Sequence, residues 1–260
     1  MQNRKIILNI TISAMFIALL AVFSFVPYVG FITIGPISFT TVHIIVLIGA
    51  MLMGWKHGLI YGFFFGLFSF IQALSTAGTV NYLFVNPFVS ILPRVIFGCV
   101  SGLVFDFLRK RTNSKQFIGI SAISAGLLTL FHTLITLTCL YIFGILDIFK
   151  ISQALGLSEI LETLKSYGFD NFGVFILGFV SFGCLAEVLA ATFIVPSAGG
   201  VVMLSFKKNM NFVKMGIIKE ANDETTFSKS NLIIIFIVLL IVLLGYLAGL
   251  VVLYTIGAIS

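Results

Sequence analysis

Seven apolar stretches of about twenty residues organise this chain: 6–26, 41–55, 58–75, 87–108, 117–143, 173–204 and 231–256. Hydrocarbon offers no partner for a backbone N–H or C=O, so such runs cross a bilayer as helices that satisfy their own backbone. Only 9% of the residues are charged and 60% are hydrophobic, where a soluble domain carries roughly 25% charged residues. The fold class is therefore an all-α integral membrane protein. Arg4 and Lys5 before the first apolar run imitate a signal peptide. No small-residue cleavage site closes that run, so it reads as a retained helix.

Charge sets the orientation. With the N-terminus in the cytoplasm, the inner segments hold Arg4, Lys5, Lys56, Arg109, Lys110, Arg111, Lys115, Lys207, Lys208, Lys214, Lys219 and Lys229. The external segments then keep Lys150 and Lys165, and Arg94 is intramembrane. The positive-inside rule selects this arrangement in a multi-pass protein of the cell membrane and puts the C-terminus outside. Cys99, Cys139 and Cys184 lie within spans, are odd in number and form no C-x-x-C, so they suggest neither a disulfide framework nor a zinc site.

The stretch Asn86–Arg111, NPFVSILPRVIFGCVSGLVFDFLRKR, carries the strongest functional signal. Asn86 is a good N-cap, and Pro87 falls where a missing N–H costs nothing. Arg94 is roughly 12 Å along the helix from its start, inside the hydrocarbon. A cation there costs about 2.5 kcal/mol or more, which marks a partnered, functional group facing the protein interior. Asn86, Ser90 and Arg94 at i, i+4 and i+8 form a polar stripe on one helix face. Pro93 lacks the N–H that would bond the Val89 carbonyl, so a backbone acceptor is freed beside that stripe.

Elsewhere polar groups are sparse. The external segment 27–41, PYVGFITIGPISFTT, is too apolar for a free loop and is expected to fold back over the outer mouth; His43 follows it as a capping or core histidine. Ser13, Ala14, Ala18 and Ala21 make a small-residue stripe on the first span, suited to close packing within the chain or with another subunit. Gly58, Gly62 and Gly66 form a GxxxGxxxG ladder on the third, again a close contact, internal or with a partner. Gln72 ends that helix, and Thr76, Thr79, Asn81 and Tyr82 follow beside the mouth. His132 shares a face of the fifth span with Thr129 and Thr136, and either contacts a ligand or bonds internally. Glu187 on the sixth span is placed nearer the cytoplasmic side than Arg94, paired with His132 or neutral. Asp106 is expected to pair within the basic cluster. Residues 144–172 read as an external insertion with a short amphipathic helix opening at Ser158 and Glu159.

Neither a phosphate-cradling loop, an H-E-x-x-H nor a G-x-S-x-G motif occurs, so an enzyme is not expected. The two halves show no matching broken helices, which weakens the case for a self-sufficient secondary transporter.

Ala14 and Ala18, HIIVLIGAMLMGWKHGLIYGFFFGLFSF (43–70), NPFVSILPRVIFGCVSGLV (86–104) and EVLAATFIVP (187–196) together resemble the substrate-binding S components of energy-coupling factor (ECF) vitamin transporters, over about residues 6–205. The resemblance implies a six-helix S-component-like bundle over 1–205, to which this chain adds a cytoplasmic linker, 206–230, and an additional transmembrane helix, 231–260. It also implies a vitamin bound near the outer face under the first loop, and docking onto a transmembrane T component driven by two ABC ATPases, so that ATP is used by the partners and no cofactor resides in this chain. Arg94, Ser90, Asn86, Asn81, Gln72, His132 and Thr40 are then the candidate substrate-binding residues, and Ala14, Ala18, Gly58 and Gly62 the candidate docking face. Within the family the sequence looks most like the pantothenate-type group; one guanidinium beside amide and hydroxyl groups suits a small carboxylate. Folate or a riboflavin-like vitamin is the alternative, as is a stand-alone carrier in which Glu187 and His132 relay protons.

Overall fold

The computed structural model describes residues 2–26, 29–34, 37–75, 84–145 and 184–208, with isolated positions between 156 and 165. The linker 206–230, apart from its first three residues, the predicted helix 231–260, most of the insertion 144–172 and Asn81 lie outside the described residues.

Helix α1 (Gln2–Phe25) leads to a hairpin of β1 (Phe31–Ile34) and β2 (Ile37–Thr40). Then come α2 (Val42–Met53), α3 (Trp55–Ser75), the short α4 (Pro87–Ser90), α5 (Leu92–Arg111) and α6 (Ser114–Leu140), which runs on into one π-helical turn, Tyr141–Ile145. The last described helix, α7, is Leu185–Lys208. Among the described residues, five spans are long and apolar enough to cross a membrane: Ile6–Phe25, Trp55–Ser75, Pro87–Arg111, Gln116–Phe143 and Leu185–Met203.

Successive helices alternate in direction. The start of α1, the α2–α3 turn, the α5–α6 turn and the end of α7 share one end, which carries Arg4, Lys56, Arg109–Arg111 and Lys207. The hairpin and the start of α4 lie at the opposite end.

The run expected to cross at 41–55 forms only the twelve-residue α2, about 18 Å long and too short to span alone. All but one of its residues are buried. It is apolar on every side because it runs through the middle of the bundle, with Val42, Val46, Leu47 and Ala50 fully enclosed. Gly54, at φ 84°, ends it and turns the chain straight into α3.

One ionic clamp fixes that turn. Arg109 donates from Nη1 to Asp106 Oδ1 at 2.7 Å and from Nη2 to the Met51 carbonyl at the end of α2. Asp106 Oδ2 accepts from the Trp55 N–H at 3.1 Å, an orphan donor of the first turn of α3. The expected pairing of Asp106 with the basic cluster is present, with Arg109 as its partner.

The segment between α1 and α2 is not an irregular loop. It is an antiparallel hairpin in which Phe31 faces Thr40 and Ile34 faces Ile37 across Gly35–Pro36. Its base is closed by the Thr41 N–H on the Gly30 carbonyl at 2.8 Å. Alternating β-branched and aromatic residues on either side of a Gly-Pro break were the available strand signal.

Helices α3 and α5 make the most extensive contact in the bundle. A Cβ at Gly58 would strike the Gly98 carbonyl, one at Gly62 the Arg94 carbonyl, and one at Gly66 would come within 2.7 Å of Ile91 Cα. The ladder therefore seats α5, with the backbones touching. Gly58 and Gly62 are buried inside this contact, which corrects their placement on an external docking face. Ala14 and Ala18 are exposed on α1, while Phe16 on its other side packs on Tyr61 with ring centroids 5.3 Å apart.

Gly62→Val should lower the thermal midpoint of the detergent-purified protein, at a cost of about 1–3 kcal/mol for overpacking. Gly119→Ala, on α6 where nothing lies within 4 Å of the added carbon, should leave it unchanged or raised. Equal effects at both positions would contradict the interlock.

Candidate functional site

The site is built around a break in a helix. Asn86 caps α4 as its sequence suggests, accepting the Phe88 N–H at 3.0 Å. Regular helix stops at Ser90 and resumes at Leu92, because Pro93 cannot donate to Val89. The freed carbonyls of Val89 and Ser90 are taken by Arg94, whose Nη1 donates to them at 2.9 and 2.8 Å. The guanidinium folds back along its own chain and fills the gap that the proline opens.

Arg94 is 3% exposed. It lies over the faces of Phe65 and Phe84, at 5.1 and 5.2 Å from the ring centroids, where the ring quadrupole attracts a cation. Among the described residues no carboxylate pairs with it, and its Nε has no hydrogen-bond partner. Two neutral carbonyls and two rings thus hold a full positive charge in the interior, a setting in which an anion would be bound strongly.

Beside it stands His132 on α6. Its ring stacks on Phe65 at 5.6 Å, leans on Phe97 of α5 at 4.7 Å and stacks on His43 of α2 at 5.4 Å with 15° between the planes. Arg94 and His132 are thereby brought to one aromatic wall. Neither nitrogen of His132 has a hydrogen-bond partner. Of the threonines sharing its helix, Thr129 bonds back to the Ala125 carbonyl at 2.9 Å. Thr136 Oγ1 is buried without a partner.

The remaining predicted residues are distributed differently. Ser90 is fully buried and donates to the Phe84 carbonyl, and Asn86 donates to the Phe143 carbonyl at 3.1 Å. Both polar groups of the expected stripe thus serve internal bonds that shape the break and tie α4 to the π-helical turn after α6. Gln72 is half-buried, two turns beyond Phe65 on α3. Asn81 is outside the described residues.

Thr40 is held by an acid. Its N–H donates to Glu187 Oε1 at 2.5 Å, and Thr133 Oγ1 donates to Glu187 Oε2 at 3.4 Å. Glu187 therefore lies at the hairpin end of the bundle, which corrects its expected depth on the far side of Arg94. It ties β2 and α6 to α7 through Thr40 and Thr133, and its partner on α6 is Thr133 rather than the neighbouring His132.

Replacing Glu187 with leucine should free this strand. Amide hydrogen exchange at Thr40 should quicken by at least about tenfold, reflecting a lost charge-assisted bond of about 1.5 kcal/mol or more. Unchanged exchange would show that the hairpin is held elsewhere.

Comparison with known proteins agrees with this architecture. Residues 8–199 match the family model described as ECF transporter, substrate-specific component. The pantothenate transporter PanT of Leuconostoc mesenteroides subsp. mesenteroides is 26% identical over 200 residues, covering 75% of this chain and 91% of that protein. The pantothenic acid transporter PanT of Lactococcus lactis subsp. cremoris is 28% identical over 151 residues, covering 52% of this chain and 73% of that protein. The matched region contains most of α1, α2 to α6 and most of α7, including the proline break, its arginine and the glycine interlock. This chain belongs to the family of substrate-specific components of ECF transporters.

Proposed function

We propose that this chain binds pantothenate at the external side of the cell membrane and delivers it by association with a transmembrane T component and two ATPases. The observation that carries the reading is the buried Arg94 guanidinium, which has no acid partner among the described residues and whose Nε is unoccupied. A small carboxylate complements it: guanidinium and carboxylate meet in two parallel N–H···O bonds that are geometrically specific. The names of the two relatives supply the vitamin. Of the predicted contacts among the described residues, Arg94 and His132 are the ones with buried polar atoms left unpartnered, with Gln72 and Thr40 toward the hairpin end and Asn86 and Ser90 shaping the break.

In this reading the chain itself uses no cofactor, and ATP is consumed by the partner ATPases. Ala14 and Ala18, on the exposed face of α1, are the close-approach positions for the T component, since small residues let helix backbones touch. The N-terminus and the basic end of the bundle are cytoplasmic, and the C-terminus is external.

Isothermal titration of the purified protein with pantothenate, folate and riboflavin tests the assignment. Pantothenate should bind most tightly, and Arg94→Ala should weaken it by about thirtyfold or more, the loss expected when one partner of a buried charge pair is removed. Equal affinity of the variant, or preference for another vitamin, would overturn the assignment. Uptake into vesicles containing this chain alone under a pH gradient would instead establish a proton-coupled carrier.

A further inference from the structure

His43, predicted as a capping or core histidine, is fully buried, and neither of its ring nitrogens completes a hydrogen bond. The Thr40 backbone lies beside one of them. His43 stacks on His132, which is 4% exposed and equally unsatisfied. Thr136 Oγ1, one turn along α6, and Arg94 Nε are also buried and unpartnered. Three side chains from α2, α5 and α6, His43, Arg94 and His132, thus gather unsatisfied polar atoms around the aromatic wall of Phe65 and Phe97, with Thr136 on the same helix as His132.

Unpaired buried polar groups are rare and costly. Phenylalanine would fill such positions without that penalty, and the neighbouring Phe65 and Phe97 show that aromatic carbon is accommodated here. Two imidazoles in the places of two phenylalanines are therefore explained by something that hydrogen-bonds them. A neutral imidazole offers one donor and one acceptor, so the stacked pair presents two of each. That set matches hydroxyl groups and an amide, not a second carboxylate.

Resting on the reading above, we propose that His43 and His132, with Thr136, form a subsite for the hydroxyl and amide portion of the ligand, while Arg94 takes its carboxylate. The ligand lies with its anionic end toward the α4–α5 break and its hydroxylated end between α2 and α6. His43 becomes a ligand-contacting residue, and the imidazole pair discriminates between small carboxylates by their hydrogen-bonding tails.

The test compares pantothenate with an analogue in which both hydroxyls are replaced by hydrogen, by titration against the wild type, His43→Phe, His132→Phe and Arg94→Ala. The wild type should favour pantothenate over the analogue by at least about tenfold, since a site built to bond a hydroxyl rejects the ligand that lacks it. Each histidine variant should bind pantothenate about tenfold or more weakly and lose that preference, while its unliganded thermal midpoint stays level or rises. Arg94→Ala should weaken both ligands and keep the preference. Histidine variants with wild-type affinity and preference would overturn the subsite and leave the Arg94 reading standing. A wild type that binds no pantothenate would overturn both.

Discussion

A positive charge held in hydrocarbon, with no acid beside it among the described residues, is the constraint on which the rest of the structure depends. Desolvating a guanidinium is costly, and the usual remedy is a carboxylate. Here the remedy is a broken helix: Pro93 withdraws one backbone donor, Val89 and Ser90 expose their carbonyls, and Arg94 turns back to bond both. The arrangement makes the cation tolerable but not neutral. Phe65 and Phe84 spread their ring faces over it without adding charge, so the site retains an attraction for an anion.

Such a device works only if α5 is held rigidly against its neighbours. The glycine ladder of α3 provides this by letting the backbones meet at Gly98, Arg94 and Ile91, so that the backbone of the arginine itself forms part of the interlock. At the basic end, Arg109 and Asp106 bind the end of α2 and the start of α3 to the same helix. At the other end, Glu187 joins the hairpin to α6 and α7. The two charged clamps bracket the interior in which Arg94, His43 and His132 lie.

Much of this was legible in the sequence wherever the cause was local. Capping by Asn86, the carbonyl freed by Pro93, the close contact implied by Gly58, Gly62 and Gly66, and the pairing of Asp106 all follow from neighbours a few residues away. What was not legible depends on contacts distant in sequence. The stacking of His43 on His132 joins helices whose relative rotation no single-helix pattern specifies. Glu187 was misplaced because hydrophobicity gives the length of a span and not the depth of a residue within it; its bond to Thr40 crosses 147 positions. The spacing of Asn86 and Ser90 shows their shared face but not that Phe143 and Phe84 supply carbonyls to them. Gly58 and Gly62 were assigned to a partner because a small-residue stripe does not say which helix will use it.

The family to which the chain belongs makes it the subunit that selects a substrate, and our proposal puts that selection at the proline break. An experimental structure of the pantothenate-loaded protein tests this most directly. The ligand carboxylate should lie within about 3 Å of the Arg94 guanidinium, the separation of a charge-assisted hydrogen bond. A bound ligand whose carboxylate lies elsewhere, with Arg94 bonded only to the Val89 and Ser90 carbonyls, would contradict it.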